Sequence, residues 1–342
     1  MAGKSVLAFK KLRDNRHYER LATATGDIGN LDMLSLESVS HCLFKLSRSD
    51  HPGIFVMTNI RTGAPRNLAS IMKPAQAVRK AIEKLYPKEY ADSSWDNTGL
   101  LVDCSELAEQ RAPSVLLTVD LTSSVAHEAI ANGNNVIVAY HPFIFRGIKS
   151  ITPQDPQQRS LLKLVSNHIS VYSPHTAVDA ARGGVNDWLA MGITDNGANI
   201  GEFKPISVKG SEPEGVGMGR KVLLKEPLTL SDLVGKVKAL LDLDTIQVVR
   251  PDADVLIKSI ALCAGSGGSV FQGVDADVYF TGELGHHEML HIRESGKCAL
   301  VCGHSNTERG YLAVMKELLE KELGPEAEIT IAKTDVDPIC YV

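Results

Sequence analysis

The sequence predicts an α/β fold made of two facing α/β lobes, and three observations lead to that prediction. Short apolar runs alternate with segments of helical period from about residue 73 to the end of the chain. The alternation occurs twice, on either side of a stretch rich in Gly, Pro, Lys and Glu. Histidines and carboxylates follow directly after several apolar runs, where open α/β sheets place their ligands. We therefore expect a metal site at the carboxyl ends of these strands.

The composition is that of an ordinary globular protein, with 342 residues, 44% hydrophobic and 23% charged, and a formal net charge of −5. No stretch approaches the roughly 20 apolar residues that a membrane span needs, so we expect no membrane partner. The mild acidity gives no electrostatic support for direct nucleic-acid binding. Six cysteines in a chain of this length do not form a disulfide framework and suit a reducing compartment. We therefore expect a cytoplasmic protein.

The first 72 residues differ in character from the rest of the chain. They hold ten Lys and Arg against six Asp and Glu, and most of the excess lies near the start. Such a basic start predicts either a poorly ordered extension or an organelle-targeting segment, which makes a mitochondrial location the alternative. We expect a first α/β lobe over 73–200, a linker over 201–226 and a second α/β lobe over 227–342.

The elements of the first lobe follow from helical and strand periods bounded by Gly and Pro. Ala77, Ile82 and Leu85 share one helical face, and Pro87 ends that helix. Gly99 opens a strand, and Gly133 ends the later helix over 123–132. The remaining predicted elements are strands over 114–119, 135–140 and 169–172, and helices over 123–132, 157–167 and from 183 onward.

The second lobe repeats the alternation of strands and helices. The segment from Thr229 to Leu241 returns to helical period, with Ser231 as its cap. The glycine run from Gly215 to Gly219 follows no strand and opens no helix, so we interpret it as a turn rather than a phosphate loop. The other predicted elements are strands over 246–250, 259–263, 277–280, 299–302 and 329–332, and helices over 283–294 and 311–323.

Polar clusters come directly after three of the predicted strands, and they contain His141, His175 with Asp179, and His304 with Glu308. Imidazoles and carboxylates at the carboxyl ends of strands suit one or two divalent ions such as zinc, iron or manganese. Asp179 or Glu308 would be able to bridge two ions about 3.5–4 Å apart. For His304 and Glu308 the alternative is a solvated first helical turn, capped by Asn306 or Thr307.

A zinc-protease signature competes with this strand-end site. The segment from His287 to His291 matches the H-E-x-x-H pattern, in which two helical histidines bind zinc and the glutamate is the general base. A third ligand such as Glu308 would lie beyond an intervening apolar strand, and no segment indicates a peptide-binding edge. We therefore favour the strand-end site. Whether Glu283 and His286, with His287, line the same cleft stays open.

Five motifs occur in the order of a known family. They are S-W-D-N-T-G-L-L (94–101), Y-H-P-F-I-F (140–145), S-P-H-T-A-V-D-A (173–180), T-G-E with H-H (281–283 and 286–287) and G-H-S-N-T-E-R (303–309). In this order they resemble the NIF three-like (NGG-one-interacting factor three) family, also called GTP cyclohydrolase type 2 homologs. The resemblance covers the chain from about Lys73 to its end and leaves residues 1–72 outside.

The resemblance implies two α/β lobes with a two-metal site between them, and assembly as homodimers or homohexameric rings. With His175 close by, the metal ligands implied by matching motif positions are His141, Asp179, His304 and Glu308. One position departs from the bacterial pattern of the family, which has two adjacent histidines where this chain has Tyr140 and His141. The missing imidazole predicts that a second ion is held less tightly than the first.

For function, the resemblance implies a metal-dependent hydrolase that acts on a nucleotide or another phosphoester. Glu308 or His175 would orient or deprotonate the attacking water. The rival interpretation is a non-catalytic, metal-stabilised oligomer that recruits a transcription-related protein partner, in keeping with the family's name as an interaction factor. Loss of turnover on chelation would separate an enzyme from such a scaffold.

Overall fold

The computed structural model describes residues 72–108, 111–208 and 213–340, together with the backbone of three strands nearer the start. The chain divides into two compact units, Met1–Asn67 and Leu68–Val342. In the first unit an antiparallel sheet has the order β1-β3-β2, formed by β1 (Arg20–Thr23), β2 (Leu43–Arg48) and β3 (Ile54–Ile60). Beyond these strands, the expected poorly ordered or targeting extension over 1–72 lies outside the described residues.

The second unit contains two sheets, and the first of them has five strands in the order β14-β5-β6-β7-β4. Its strands are β4 (Gly99–Val102), β5 (Ser114–Thr118), β6 (Val136–Ala139), β7 (Ser170–Ser173) and β14 (Glu328–Ile331). The strands β14, β5, β6 and β7 run parallel, and β4 pairs antiparallel with β7. Both β6 and β7 are buried along their whole length, as expected for parallel strands covered on two faces.

Five helices accompany the first sheet in sequence, and two of them begin with a side-chain cap. They are α1 (Pro74–Leu85), α2 (Ser123–Ala131), α3 (Pro156–Ser166), α4 (Thr176–Ala180) and α5 (Val185–Ile193). The Thr122 side chain accepts the Val125 amide at the start of α2, and Asp155 accepts the Gln158 amide at the start of α3. The sequence-based predictions of α1, α2 and α3 are thus confirmed to within a residue or two.

The second sheet has six strands in the order β10-β13-β12-β11-β9-β8. Its strands are β8 (Ile200–Ser207), β9 (Met218–Thr229), β10 (Gln247–Val249), β11 (Leu256–Ser266), β12 (Val278–Glu283) and β13 (Cys298–Val301). The central strands β11, β12 and β13 are parallel, and the outer strands pair antiparallel. The helices of this half are α6 (Leu230–Leu241), α7 (His286–Glu294), α8 (Asn306–Arg309) and α9 (Tyr311–Leu323).

Two segments lie elsewhere in the fold than the sequence suggested. Most of β8 and β9 falls within 201–226, the range expected to be a linker, and the two strands form an antiparallel pair. The last strand, β14, was assigned to the second lobe by its position, yet it pairs in parallel with β5 of the first sheet. Because α9 packs against α1 and β14, the end of the chain returns to the first sheet.

One continuous core holds the two sheets of the second unit together. It includes Leu117 and Val138 from the first sheet and Leu262 and Phe280 from the second, all essentially inaccessible to solvent. Smaller cores lie where α2 and α3 cover the first sheet and where α7 covers the second. The shared core fixes the carboxyl ends of the two parallel strand sets relative to one another. No helix among the described residues has both the length and the apolar character that crossing a membrane requires.

Candidate metal centre

His141 extends from the carboxyl end of β6, at the edge where β5 also ends. The His141 amide donates to the carbonyl oxygen of Val119 at 3.1 Å, which continues the strand pairing past β6. The His141 Nδ1 lies 2.9 Å from Asp120 Oδ1, so the carboxylate that follows β5 holds the ring. The other ring nitrogen, Nε2, lies 3.3 Å from Glu308 Oε2. Two neighbouring parallel strands therefore aim one imidazole at the second sheet.

His304 and Glu308 follow β13 on the facing sheet. The turn begins at Gly303, whose φ of +90° lies in the region that glycine adopts without strain. The His304 Nδ1 lies 3.0 Å from Glu283 Oε2, at the end of β12, and its Nε2 lies 3.5 Å from Glu308 Oε1. Glu308 is only 2% exposed, so the alternative of a solvated first helical turn does not describe this segment.

The donor atoms of His141, His304 and Glu308 all lie within 4.8 Å of one another. Two of these atoms, His141 Nε2 and Glu308 Oε2, are buried and have no hydrogen-bond partner. A buried polar atom without a partner typically costs about 1–3 kcal/mol. Both imidazoles have a carboxylate at Nδ1, the arrangement that in metal sites leaves Nε2 free to coordinate. The cluster therefore fits a divalent cation that accepts two nitrogens and a carboxylate.

Gly265, at the end of β11, leaves room at this cluster. A Cβ at this position would lie 2.9 Å from both Glu308 Oε1 and His304 Nε2. Its φ of +64° also lies in the left-handed region that L side chains rarely adopt. Any other side chain here would occupy the space between the two donor atoms and strain the backbone.

Asp179, the fourth implied ligand, lies on α4 and lines the same cavity but falls outside the three-residue cluster. Its Oδ1 accepts a 2.7 Å hydrogen bond from the Tyr140 hydroxyl. Burial, reinforced by the nearby Glu308 carboxylate, raises the pKa of Asp179 to about 6 although His175 and Tyr140 oppose the change. The structure thus places Tyr140 as the partner of a predicted ligand.

His175 lies beside the cluster at the start of α4. Its φ of +37° is unusual for a residue with a side chain and indicates a backbone held by its surroundings. The His175 Nδ1 lies 2.7 Å from Asp96 Oδ1, and the ring meets that of His141 edge-on at 5.5 Å. Burial would raise the pKa of Asp96, but hydrogen bonds from His175, Thr176 and Thr98 hold it at about 2. Asp96 therefore keeps its charge and fixes the ring.

Three carboxylates hold these rings, and the sequence assigned no role to two of them, Asp96 and Asp120. Asp120 follows the buried strand β5, and Glu283 is the last, exposed residue of β12, so the signal that identified His141 and His304 applied to them as well. Whether Glu283 lines the cleft is a question that the sequence leaves open, and the structure places its carboxylate 3.0 Å from His304 Nδ1. Asp96 lies in a turn 79 residues before its partner, and no local pattern connects the two.

A cavity of about 710 Å³ gives access to the site. Asp179, His304 and Glu308 lie on one side of it, and His175 lines it next to the half-exposed Trp95. The end of β11 and the glycine- and serine-rich turn after it also line the cavity. The volume is within the usual range of about 300–1,000 Å³ for small-molecule sites.

The H-E-x-x-H segment lies apart from this cavity. His287 and His291 are exposed on α7 and line a separate, more apolar cavity of about 550 Å³ with Phe271 and Tyr279. The Glu288 carboxylate accepts the Gly285 amide at 2.6 Å, which is a capping contact at the start of α7. Within the described ranges, the group of three potential metal ligands includes neither histidine. His286 is also exposed and contacts the His287 ring.

The chain matches known proteins over most of the second unit. The family model described as Duf34/NIF3 (NGG1p interacting factor 3) matches residues 74–338. The "Protein NIF3 homolog" of Schizosaccharomyces pombe is 50% identical over 268 residues, which cover 77% of this chain and 96% of that protein. The "NGG1-interacting factor 3" of Saccharomyces cerevisiae is 48% identical over 275 residues, covering 76% and 94%. A solved Bacillus cereus protein related to NIF3 shares the fold, with a TM-score of 0.66, 22% identity and coverage of 78% and 99%.

Proposed function

This chain belongs to the Duf34/NIF3 family, and we propose that it binds a divalent cation and uses it to hydrolyse a nucleotide or another phosphoester, as a GTP cyclohydrolase type 2 homolog would. The proposed metal ligands are His141, His304 and Glu308, with Asp179 as a further ligand. One observation carries the proposal: two buried donor atoms, His141 Nε2 and Glu308 Oε2, face each other at 3.3 Å without hydrogen-bond partners. A shared cation satisfies both atoms at once.

The residues around the cluster have separable roles in this proposal. A zinc, iron or manganese ion held by these residues would act as a Lewis acid. Asp120 and Glu283 hold the two ligating rings in orientation through Nδ1. His175 has Nδ1 engaged by Asp96 and lines the cavity, so its Nε2 is placed to exchange a proton with a ligand there. Glu308, with one oxygen toward each imidazole, orients the reacting group.

The test is a metal analysis joined to a turnover assay. The purified chain is freed of metal with a chelator, reloaded with zinc or manganese, and screened against nucleotides and simple phosphoesters. We expect turnover that disappears on chelation and returns with the ion. His175→Ala should reduce turnover while leaving bound metal unchanged, because His175 lies outside the three-residue cluster. Turnover that survives full removal of metal would contradict the proposal.

A second candidate function is a non-catalytic interaction protein. It is favoured by the name of the Saccharomyces cerevisiae relative, which describes that protein as an NGG1-interacting factor. In this candidate the cation stabilises a homodimer or homohexamer whose surface recruits a protein partner. The same purified samples separate the two functions. A scaffold shows no turnover on any substrate and keeps its partner in His175→Ala, whereas an enzyme loses rate in that variant.

A further inference from the structure

The segment that follows β14, which we call the C-terminal strap (residues 333–337), runs from α2 to the metal cluster. At its start, the backbone amides of Lys333 and Thr334 both donate to the carboxylate of Glu128 on α2, at 2.9–3.1 Å. The Thr334 hydroxyl donates to the same carboxylate at 2.7 Å. These contacts between the strap and α2 are exposed to solvent, and they involve no residue of the cluster.

Asp335, the next residue of the strap, is buried between the two halves of the site, with its side chain 1% exposed. Its Oδ2 accepts the backbone amide of Val119 at 2.6 Å and lies 2.8 Å from Arg309 Nη1. The same guanidinium nitrogen donates to the Asp335 carbonyl oxygen at 3.0 Å. One carboxylate oxygen therefore joins the end of β5 to α8.

Each of the two partners of Asp335 is next in sequence to a residue of the site. Val119 directly precedes Asp120, which holds the His141 ring, and the Val119 carbonyl accepts the His141 amide. Arg309 directly follows Glu308 in the single turn of α8. The 3.3 Å approach of His141 to Glu308 spans the two sheets, and Asp335 is bonded to both sides of it.

A second contact of the strap holds the other end of the same turn. Asp337 Oδ2 accepts the Ser305 hydroxyl at 2.8 Å, and Arg309 Nη2 donates to the same hydroxyl oxygen at 3.0 Å. Ser305 directly follows His304. The strap thus fixes the segment that carries both His304 and Glu308, while its contact with Val119 fixes the segment that carries His141.

We propose that Asp335 is a positioning residue for the metal cluster, setting the distance between the His141 side and the Glu308 side without touching the ion. The inference rests on the proposed function of the cluster as a cation site. Stability alone is a weak explanation for this residue, because burying an ion pair costs desolvation that the attraction offsets only in part. Its second oxygen, Oδ1, is buried without any partner, which adds to that cost. The contacts of Asp335 with Val119 and Arg309 instead fix the distance between the ends of β5 and α8.

The test compares Asp335→Asn with Glu128→Gln as a matched control, both in the full chain. Each substitution replaces a carboxylate that bonds the strap to the rest of the fold by an amide of the same shape, but only Asp335 contacts the segments that carry ligands. Zinc affinity of the metal-free proteins is measured by calorimetry, and thermal midpoints are recorded alongside. We expect Asp335→Asn to weaken zinc binding about tenfold, in the range known for groups that support metal ligands. Glu128→Gln should bind zinc as the wild type does.

Arg309→Lys provides a second route to the same answer if Asp335→Asn folds poorly. It keeps the charge but loses the forked contacts, and its site is partly exposed, so the fold should tolerate it. Unchanged zinc binding in both Asp335→Asn and Arg309→Lys would overturn the proposal. Zinc binding weakened as much in Glu128→Gln as in Asp335→Asn would also overturn it, because it would indicate a general effect of the strap. Failure of the wild type to bind zinc would overturn the proposed function itself, and the role of Asp335 with it.

Discussion

Tyr140 stands where the bacterial pattern of the resembled family has a second histidine, and its ring is 1% exposed beside His141. Its hydroxyl donates to Asp179, so the position supplies a hydrogen bond to a proposed ligand instead of a nitrogen. A neutral phenol is a poor ligand for a divalent ion at pH 7, whereas imidazole is a common one. From this single residue we predict one tightly held ion and one weakly held ion.

Tyr140→His should raise bound metal toward two ions per chain, because it introduces a nitrogen donor next to Asp179. The measurement is calorimetric titration of the metal-free proteins with zinc, counting tight sites. Tyr140→Phe is the matched control, since it removes the hydroxyl without adding a donor. Two tight sites in the wild type would show that Tyr140 or another group already completes the set of ligands around the second ion.

Asp96 gives a prediction about pH. Its pKa in the folded chain is about 2 against an ordinary 3.8, so its charged form is favoured by folding. The corresponding stabilisation, about 2 kcal/mol, should be present in full above about pH 4 and lost as the pH falls toward 2. Urea unfolding of wild type and Asp96→Asn should show the full difference in free energy at pH 7 and a smaller one at pH 3. A difference independent of pH would contradict this assignment.

The residues of the site could be predicted from the sequence to the extent that each follows a buried strand. His141, His304 and Glu308 come after apolar runs, and parallel strands end at a common edge, so their convergence was foreseeable. Their supporting contacts were not. The bond from His175 to Asp96 depends on how a turn far earlier in the chain folds against α4. The contact between Val119 and Asp335 joins residues 216 apart in sequence.

At the scale of elements, the strand β8 was not predicted because it has no apolar run. In β8 the residues alternate irregularly between exposed and half-buried, with Glu202 exposed and Phe203 half-buried, so neither a strand period nor a buried run was visible. The strand β14 was predicted at nearly its observed position, but its pairing with β5 is a tertiary choice. Local period predicts that a strand exists, and packing decides which sheet it joins.

The packing of α9 shows how the end of the chain is held. Leu319 is fully buried in the core shared by the two sheets. Leu319→Ala should lower the free energy of unfolding by about 2–5 kcal/mol, because it removes buried apolar atoms and leaves a cavity. Urea unfolding measures the change. Zinc affinity of the folded variant should equal that of the wild type, since Leu319 is not one of the cluster's donors. A parallel loss of affinity would link α9 to the site.

At the scale of the whole molecule, the site belongs entirely to the unit Leu68–Val342. The family match, residues 74–338, lies within the same unit. A protein that begins at Met72 should therefore fold and bind zinc with the affinity of the full chain. Circular dichroism and calorimetry measure the two properties, and limited proteolysis of the full chain should cut first between residues 1 and 72. An insoluble truncated protein would show that the first residues are required by the fold.

The central claim, a cation site shared between the two sheets, is tested most directly by zinc titration of three metal-free variants. His304→Ala and Glu308→Ala each remove a donor of the cluster, whereas His291→Ala removes an exposed histidine of the H-E-x-x-H segment on α7. All three should keep the circular dichroism of the wild type. We predict that His304→Ala and Glu308→Ala lose tight zinc binding and that His291→Ala retains it. Wild-type affinity in the first two variants, or an equal loss in His291→Ala, would contradict the account.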